Sequence, residues 1–175
     1  MISLTFAFWM LVVLFGVIGM MRGWAKELLV VFSVILSLAF NTLLKRYVPV
    51  VNALPDDGQA IFWIRTIIVV VLVFFGYQTV ALPRFATKAA REKLQDSLLG
   101  FVFGALNGYL VIGTLWFYLD QAAYPFAYIE APKPTTEMGL AALNLLQAMP
   151  PRLLGEPAIY FAVILAFIFV LVVFI

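Results

Sequence analysis

Five apolar stretches take up most of this chain and decide what it can fold into. They run from Ile2 to Met21, Leu28 to Leu44, Ile61 to Leu82, Leu98 to Leu119 and Ala158 to Ile175. A helix rises ~1.5 Å per residue, so runs of this length suit about 30 Å of hydrocarbon. A membrane-crossing strand needs only ~9–11 residues, which argues for helices over a barrel. Composition agrees: 65% of residues are apolar and 11% charged, where a soluble domain carries about 25% charge. The expected fold is all-α, a polytopic α-helical membrane protein.

The chain has no cysteine and no histidine. That removes disulfides, thiol nucleophiles, the usual zinc sites and His-ligated haem, and no cofactor is expected. A net charge of +2 in so apolar a chain gives no reason to expect nucleic acid as a partner. The opening run "MISLTFAFWMLVVLFGVIGMM" lacks a basic flank and a small-x-small cleavage site, so it is expected to stay as the first helix.

The linkers differ in kind. Only the short stretch Arg22 to Glu27 separates the first two spans, which predicts antiparallel neighbours. The second linker carries Pro49, Pro55 and an Asp57-Gly58 turn signal, with Asp56 or Asp57 placed to cap or charge the start of the third helix. The third is basic, and Ala86 to Gln95 reads as a short interfacial helix. In the fourth, Met138, Ala141, Ala142, Leu145, Leu146 and Met149 recur at helical spacing before Pro150-Pro151. That pattern suits a helix on the membrane surface or, equally, a cap packed on the bundle.

Polar residues inside the spans are few. Ser33, Ser37 and Asn41 recur every four residues along one face of the second span, suited to contact with neighbouring helices or to a polar pathway. Asn41, Gln78 and Asn107 are candidates for hydrogen bonds between helices. Arg65 is the one full charge well within a span. It lies close enough to the start of that span to snorkel, or to pair with Asp56 or Asp57 or a lipid phosphate. The acids are read as lying in linkers, with no Ser-Lys pair on a helix face, so an enzyme is not expected. Gly100, Gly104 and Gly108 in "GFVFGALNG" form a face that lets another backbone approach, from this chain or a second copy. Ala158, Ala162 and Ala166 make a similar edge on the last span, suited to docking a partner.

Counting Lys and Arg, the first and third linkers carry Arg22, Lys26, Arg84, Lys88, Arg91 and Lys93. The second and fourth carry Lys45, Arg46, Lys133 and Arg152. The basic side stays in the cytoplasm, which puts the N-terminus outside and, after five spans, the C-terminus inside. "GMMRGWAKELL" then reads as an interfacial turn, with Trp24 at headgroup level. Arg22 and Lys26, one turn apart, would face lipid phosphates while Glu27 points elsewhere.

Two motifs carry a family resemblance. Gly19, Arg22, Gly23, Lys26 and Glu27 in "GMMRGWAKELL" resemble the first-loop signature of the colicin V production protein (CvpA) family. "DSLLGFVFGALNGYLVIGTLWFYLD", with Asp96, Gly100, Gly104, Gly108 and Asp120, is similar to that family's fourth helix. The resemblance covers residues 1 to about 120 and implies a four-helix membrane core. It leaves 121–157 as a polar loop with an amphipathic helix and 158–175 as an additional C-terminal transmembrane helix. Two positions depart from the pattern: Asn107 and Ser97 stand where relatives commonly have basic residues, which puts in doubt any anion or lipid contact made there. The resemblance implies a bacterial inner-membrane protein involved in toxin or metabolite export or in envelope maintenance, without catalysis. The alternative is a structural accessory subunit of a larger membrane complex. The expected partners are the lipid bilayer and a homo-oligomer or larger membrane assembly.

Overall fold

The computed structural model describes residues 3–78 and 93–174, which form eight helices and no strand. They are α1 (Leu4–Arg22), α2 (Trp24–Tyr47), α3 (Pro49–Asn52), α4 (Gln59–Tyr77), α5 (Lys93–Gln121), α6 (Glu137–Gln147), α7 (Pro150–Leu153) and α8 (Ala158–Phe174). Among the described residues, α1, α2, α4 and α5 are long and apolar enough to cross a membrane. Their outward faces are greasy: Phe6, Trp9, Met10, Val13 and Leu14 on α1 and Ile67, Val70, Val71 and Phe74 on α4 are all exposed. Apolar surface on that scale suits a hydrocarbon solvent rather than water.

α1 runs antiparallel along α5 in a register set by glycines. Phe8 meets Trp116, Gly108 meets Val12 and Phe15, Gly104 meets Phe15 and Gly19, and Gly100 meets Gly19. A methyl group on Gly104 would run into the Phe15 carbonyl oxygen and lie 2.8 Å from the Gly19 Cα. One on Gly19 would strike the Gly100 carbonyl oxygen and lie 2.7 Å from the Gly104 Cα. The glycine face of the fourth span therefore meets a helix of its own chain, backbone to backbone.

The sequence predicts α1 and α2 as packed neighbours across a linker of several residues. Gly23 alone makes the reversal, at φ +86° and ψ 153°, a conformation open to glycine and few others. α2 therefore starts at Trp24 rather than Leu28, and α1 lies mainly against α5, touching α2 little. α2 instead packs against α4 and α5, with Val30, Val34 and Leu38 buried beside Val69, Val73, Leu110 and Val111. Gly76 allows the closest α2–α4 approach, since a methyl there would fall on the Ser33 side chain.

The remaining helices close onto this frame. α6 is capped by Thr136, whose hydroxyl accepts from Gly139 N–H at 3.1 Å. Its Ala142 and Leu146 are buried with Phe8, Val12, Trp116 and Met149. Of the two readings of this segment, the cap packed on the bundle is the one the structure adopts. α8 has 17 residues, fewer than the four long helices, yet lies antiparallel along α2 from the Arg46–Glu156 pair to the Phe32–Phe169 contact. Ala166 is buried there, Ala162 is half-buried and Ala158 is exposed. Of the edge read as a partner's docking surface, Ala166 is thus covered within the chain and Ala158 is open. Asp56 and Asp57 do not cap α4: Gly58 holds that position without a side-chain bond. Residues 86–92 of the expected interfacial helix lie outside the described residues, and Lys93–Gln95 open α5.

Gly104→Leu is expected to lower the unfolding free energy by roughly 1–3 kcal/mol or more, because rigid backbone leaves no room for the side chain. Val102→Leu, at an exposed position on the same helix, should change little. Detergent-titrated unfolding of the two variants checks this; equal behaviour would contradict the packing.

Candidate functional site

The two glycine-bearing motifs meet at one end of the bundle, where α1 and α4 finish and α2 and α5 begin. Gly23 exposes the first N–H groups of α2 without a side chain to cap them. Asp96, on the first turn of α5, supplies the missing acceptor: its Oδ1 accepts from Trp24 N–H at 3.3 Å. A carboxylate at a helix N-terminus also meets the positive end of the helix dipole. A side chain on Gly23 would lie 2.7 Å from the Asp96 Oδ2, so the glycine serves both the turn and the approach of the acid.

Glu27 lies one turn into α2 and is fully buried. Arg22 donates from Nε to its Oε1 at 2.8 Å. Asn107 of α5 donates from Nδ2 to the Glu27 Oε2 at 2.8 Å and to the Glu27 backbone carbonyl at 2.9 Å. The Arg22 guanidinium also covers the Tyr77 ring at 4.4 Å and donates to the Tyr77 carbonyl oxygen at 3.4 Å. Four helices are thereby tied at one point by a charge pair with hydrogen bonds on both partners. Removing a carboxylate from water costs several kcal/mol, which only close pairing of this kind can offset.

This corrects the reading of the turn. The one-residue break at Gly23 interrupts the helical spacing, so Arg22 and Lys26 do not share a face. Lys26 is exposed, while Arg22 turns inward to Glu27. Glu27 is a buried part of the bundle rather than a linker acid. Its signal was present in the sequence: with α2 begun at Trp24, Glu27 falls on the same face as Val30, Val34, Ser37 and Asn41, all buried. Asn107, where the family resemblance implies a basic residue, reaches the same carboxylate as an amide donor.

The serine stripe does not form a polar pathway. Ser33 donates to the Leu29 carbonyl at 3.0 Å and Ser37 to the Val34 carbonyl at 2.7 Å, both within α2. Only Asn41 reaches across, donating to the Arg65 carbonyl at 3.4 Å.

At the opposite end, Arg65 reaches the end of the bundle and pairs with Asp56, one of the partners anticipated for it. It donates to Asp56 Oδ1 at 2.7 Å and to Gln121 Oε1 at 2.7 Å, over the ring of Tyr118 at 5.5 Å. Lys45 also approaches Asp56 Oδ1, at 3.3 Å, and Arg46 pairs with Glu156 at 2.8 Å. Partial burial pulls the Asp56 carboxyl upward, but the hydrogen bonds and charges of Lys45 and Arg65 outweigh it and hold it below the usual carboxylate range. Glu156 is held low by the Tyr160 hydroxyl and, against desolvation, by Arg46. Among the described residues no group of three acidic side chains could hold a metal ion.

Chemically, the junction is a closed clamp: its acid is neutralised, enclosed and fixed. Arg22→Met should destabilise the chain by about 3–5 kcal/mol by stranding the Glu27 charge. The double variant Arg22→Met with Glu27→Leu should recover much of that loss. Unfolding of Arg22→Met, Glu27→Leu and the double variant tests the pairing; two strictly additive single losses would contradict it.

The sequence model of one family, described as Colicin V production protein, matches residues 4–131, most of the chain. The match includes the Gly23 turn, the Glu27 pair and the whole of α5. No curated protein and no solved structure matches the chain.

Proposed function

The chain belongs to the colicin V production protein family, and from that premise we propose that it serves in export of a toxin or metabolite, or in maintenance of the cell envelope, without catalysing a reaction. It is a multi-pass membrane protein, as its four long apolar helices and its family indicate. The finer role is the reading best supported by one observation: the polar residues of both family motifs are spent on one another at a single helix junction. Arg22, Glu27, Asn107 and Asp96 hold helices together there, which suits a structural part in the membrane.

We further propose the cytoplasmic membrane of a bacterium as its location, with the junction end inside and the N-terminus outside. Arg22, Lys26 and Lys93 lie at the junction end, and the segment joining α4 to α5 adds Arg84, Lys88 and Arg91. That balance of basic residues supports the orientation. The bilayer itself is the partner favoured by the exposed Phe161, Leu165 and Phe167 of α8 and by the outer faces of α1 and α4.

Cells lacking the chain should secrete less toxin or become more sensitive to membrane-active detergents, and the reintroduced chain should restore them. A strain unchanged in both respects would overturn the role. For the orientation, a C-terminal reporter active only in the cytoplasm should be active; a silent reporter on a stably inserted protein would contradict it.

A further inference from the structure

At the end of the bundle away from the family junction, a cleft of about 600 Å³ opens between α2, α5 and the segment around α7. That volume lies within the range of ligand sites, ~300–1,000 Å³. Lys45, Arg46 and Arg65 line it with the acid Glu156, and Asp56 pairs with two of these cations from beside the cleft, so cations are in excess. The two inner cations are built in. Arg65 is 13% exposed and is clamped by Gln121 and Tyr118. Lys45 is 24% exposed and is tied to the Leu54 carbonyl at 2.7 Å.

Their shared partner is not built in the same way. Asp56 is 62% exposed and stands on the connection before α4. Its Oδ1 takes Arg65 at 2.7 Å and Lys45 at 3.3 Å, so two fixed cations converge on a single oxyanion position filled by a rim residue. Arg65 retains further guanidinium N–H donors beyond the bonds to Asp56 and Gln121. Below the charges the cleft is walled by Leu38, Phe117 and Leu154, which continue toward the hydrocarbon-spanning parts of α2 and α5.

We propose that this cleft binds a phosphate ester, whose oxygens take the place of the Asp56 carboxylate between Arg65 and Lys45. Arg46 meets the ligand at the rim, and the apolar wall accepts hydrocarbon. The phosphate belongs to a lipid headgroup or to a soluble phosphate compound, and the two sources differ in what the apolar wall contributes. The inference is independent of the export role, because it rests on residues outside the motif junction.

The test is thermal unfolding of the full chain, purified in an uncharged detergent, titrated with phosphatidylglycerol, with diacylglycerol of the same tails, or with inorganic phosphate. Saturable stabilisation by phosphatidylglycerol and not by diacylglycerol is expected. Lys45→Gln and Arg65→Gln should each raise the half-saturating concentration about tenfold, the loss of one charge-assisted contact. Asp56→Asn should lower it, because the competing carboxylate is gone. If inorganic phosphate saturates the same residues as well as the lipid does, the phosphate site stands and its occupant is soluble. If it does not, the occupant is the lipid. Arg65→Lys keeps the charge and should keep most of the affinity, which separates lost binding from lost folding. Equal effects of phosphatidylglycerol and diacylglycerol together with no response to inorganic phosphate, or an Asp56→Asn variant that binds less tightly, would overturn the proposal. The second result would mark these cations as internal ion-pair partners only.

Discussion

Helices surrounded by hydrocarbon gain little from burying apolar side chains against each other, because lipid tails are equally apolar. What remains is close packing and polar bonding, and both depend here on the approach of α1 to α5. Gly19, Gly100 and Gly104 remove the side chains that would hold the two backbones apart, so main-chain atoms touch directly. That approach brings Asp96 to the open N-terminus of α2 and sets Asn107 against Glu27. A shift of α5 away from α1 would leave a carboxylate buried with fewer partners, in surroundings where such a group is costly. The packing and the electrostatics are therefore one device.

The two ends of the bundle use charge in different ways. At the junction, Glu27 is enclosed, and both of its oxygens are taken by Arg22 and Asn107. At the other end, the acid Asp56 is the exposed partner and the cations Lys45 and Arg65 are the sheltered ones. An enclosed pair has little to offer a ligand. Sheltered cations facing a rim acid can exchange that acid for another anion.

Much of this was legible in the sequence, because membrane-crossing helices announce themselves by length and apolar content. The four long helices follow from those runs, and the glycines at four-residue spacing mark a close approach. Which helix approaches could not be read, since Gly104 suits α1 and a second copy equally well. The single-residue turn was hidden for another reason: Trp24 to Glu27 look polar enough for a linker, and only the φ of Gly23 shows that helix resumes at once. Misplacing that boundary removed Glu27 from the buried face of α2. The partner of Asp56 was anticipated in Arg65, but its sharing with Lys45 depends on where the connection before α4 lies in space. Likewise the spacing of Ala142, Leu146 and Met149 indicated an amphipathic helix without indicating what would cover it.

The central claim is that the two glycine motifs interlock within one chain. A chain without native cysteine allows a direct test with the pair Phe15→Cys and Gly108→Cys: a Cβ on Gly108 would lie 2.8 Å from the Phe15 Cβ, so the helices need part by only about 1 Å to reach the ~3.5–4.5 Å of a disulfide. Oxidation in native membranes should consume both thiols while the protein keeps its monomer mobility, as an intrachain disulfide requires. A predominantly dimeric product, with little intrachain bond, would contradict the account and move the glycine face to an interface between copies.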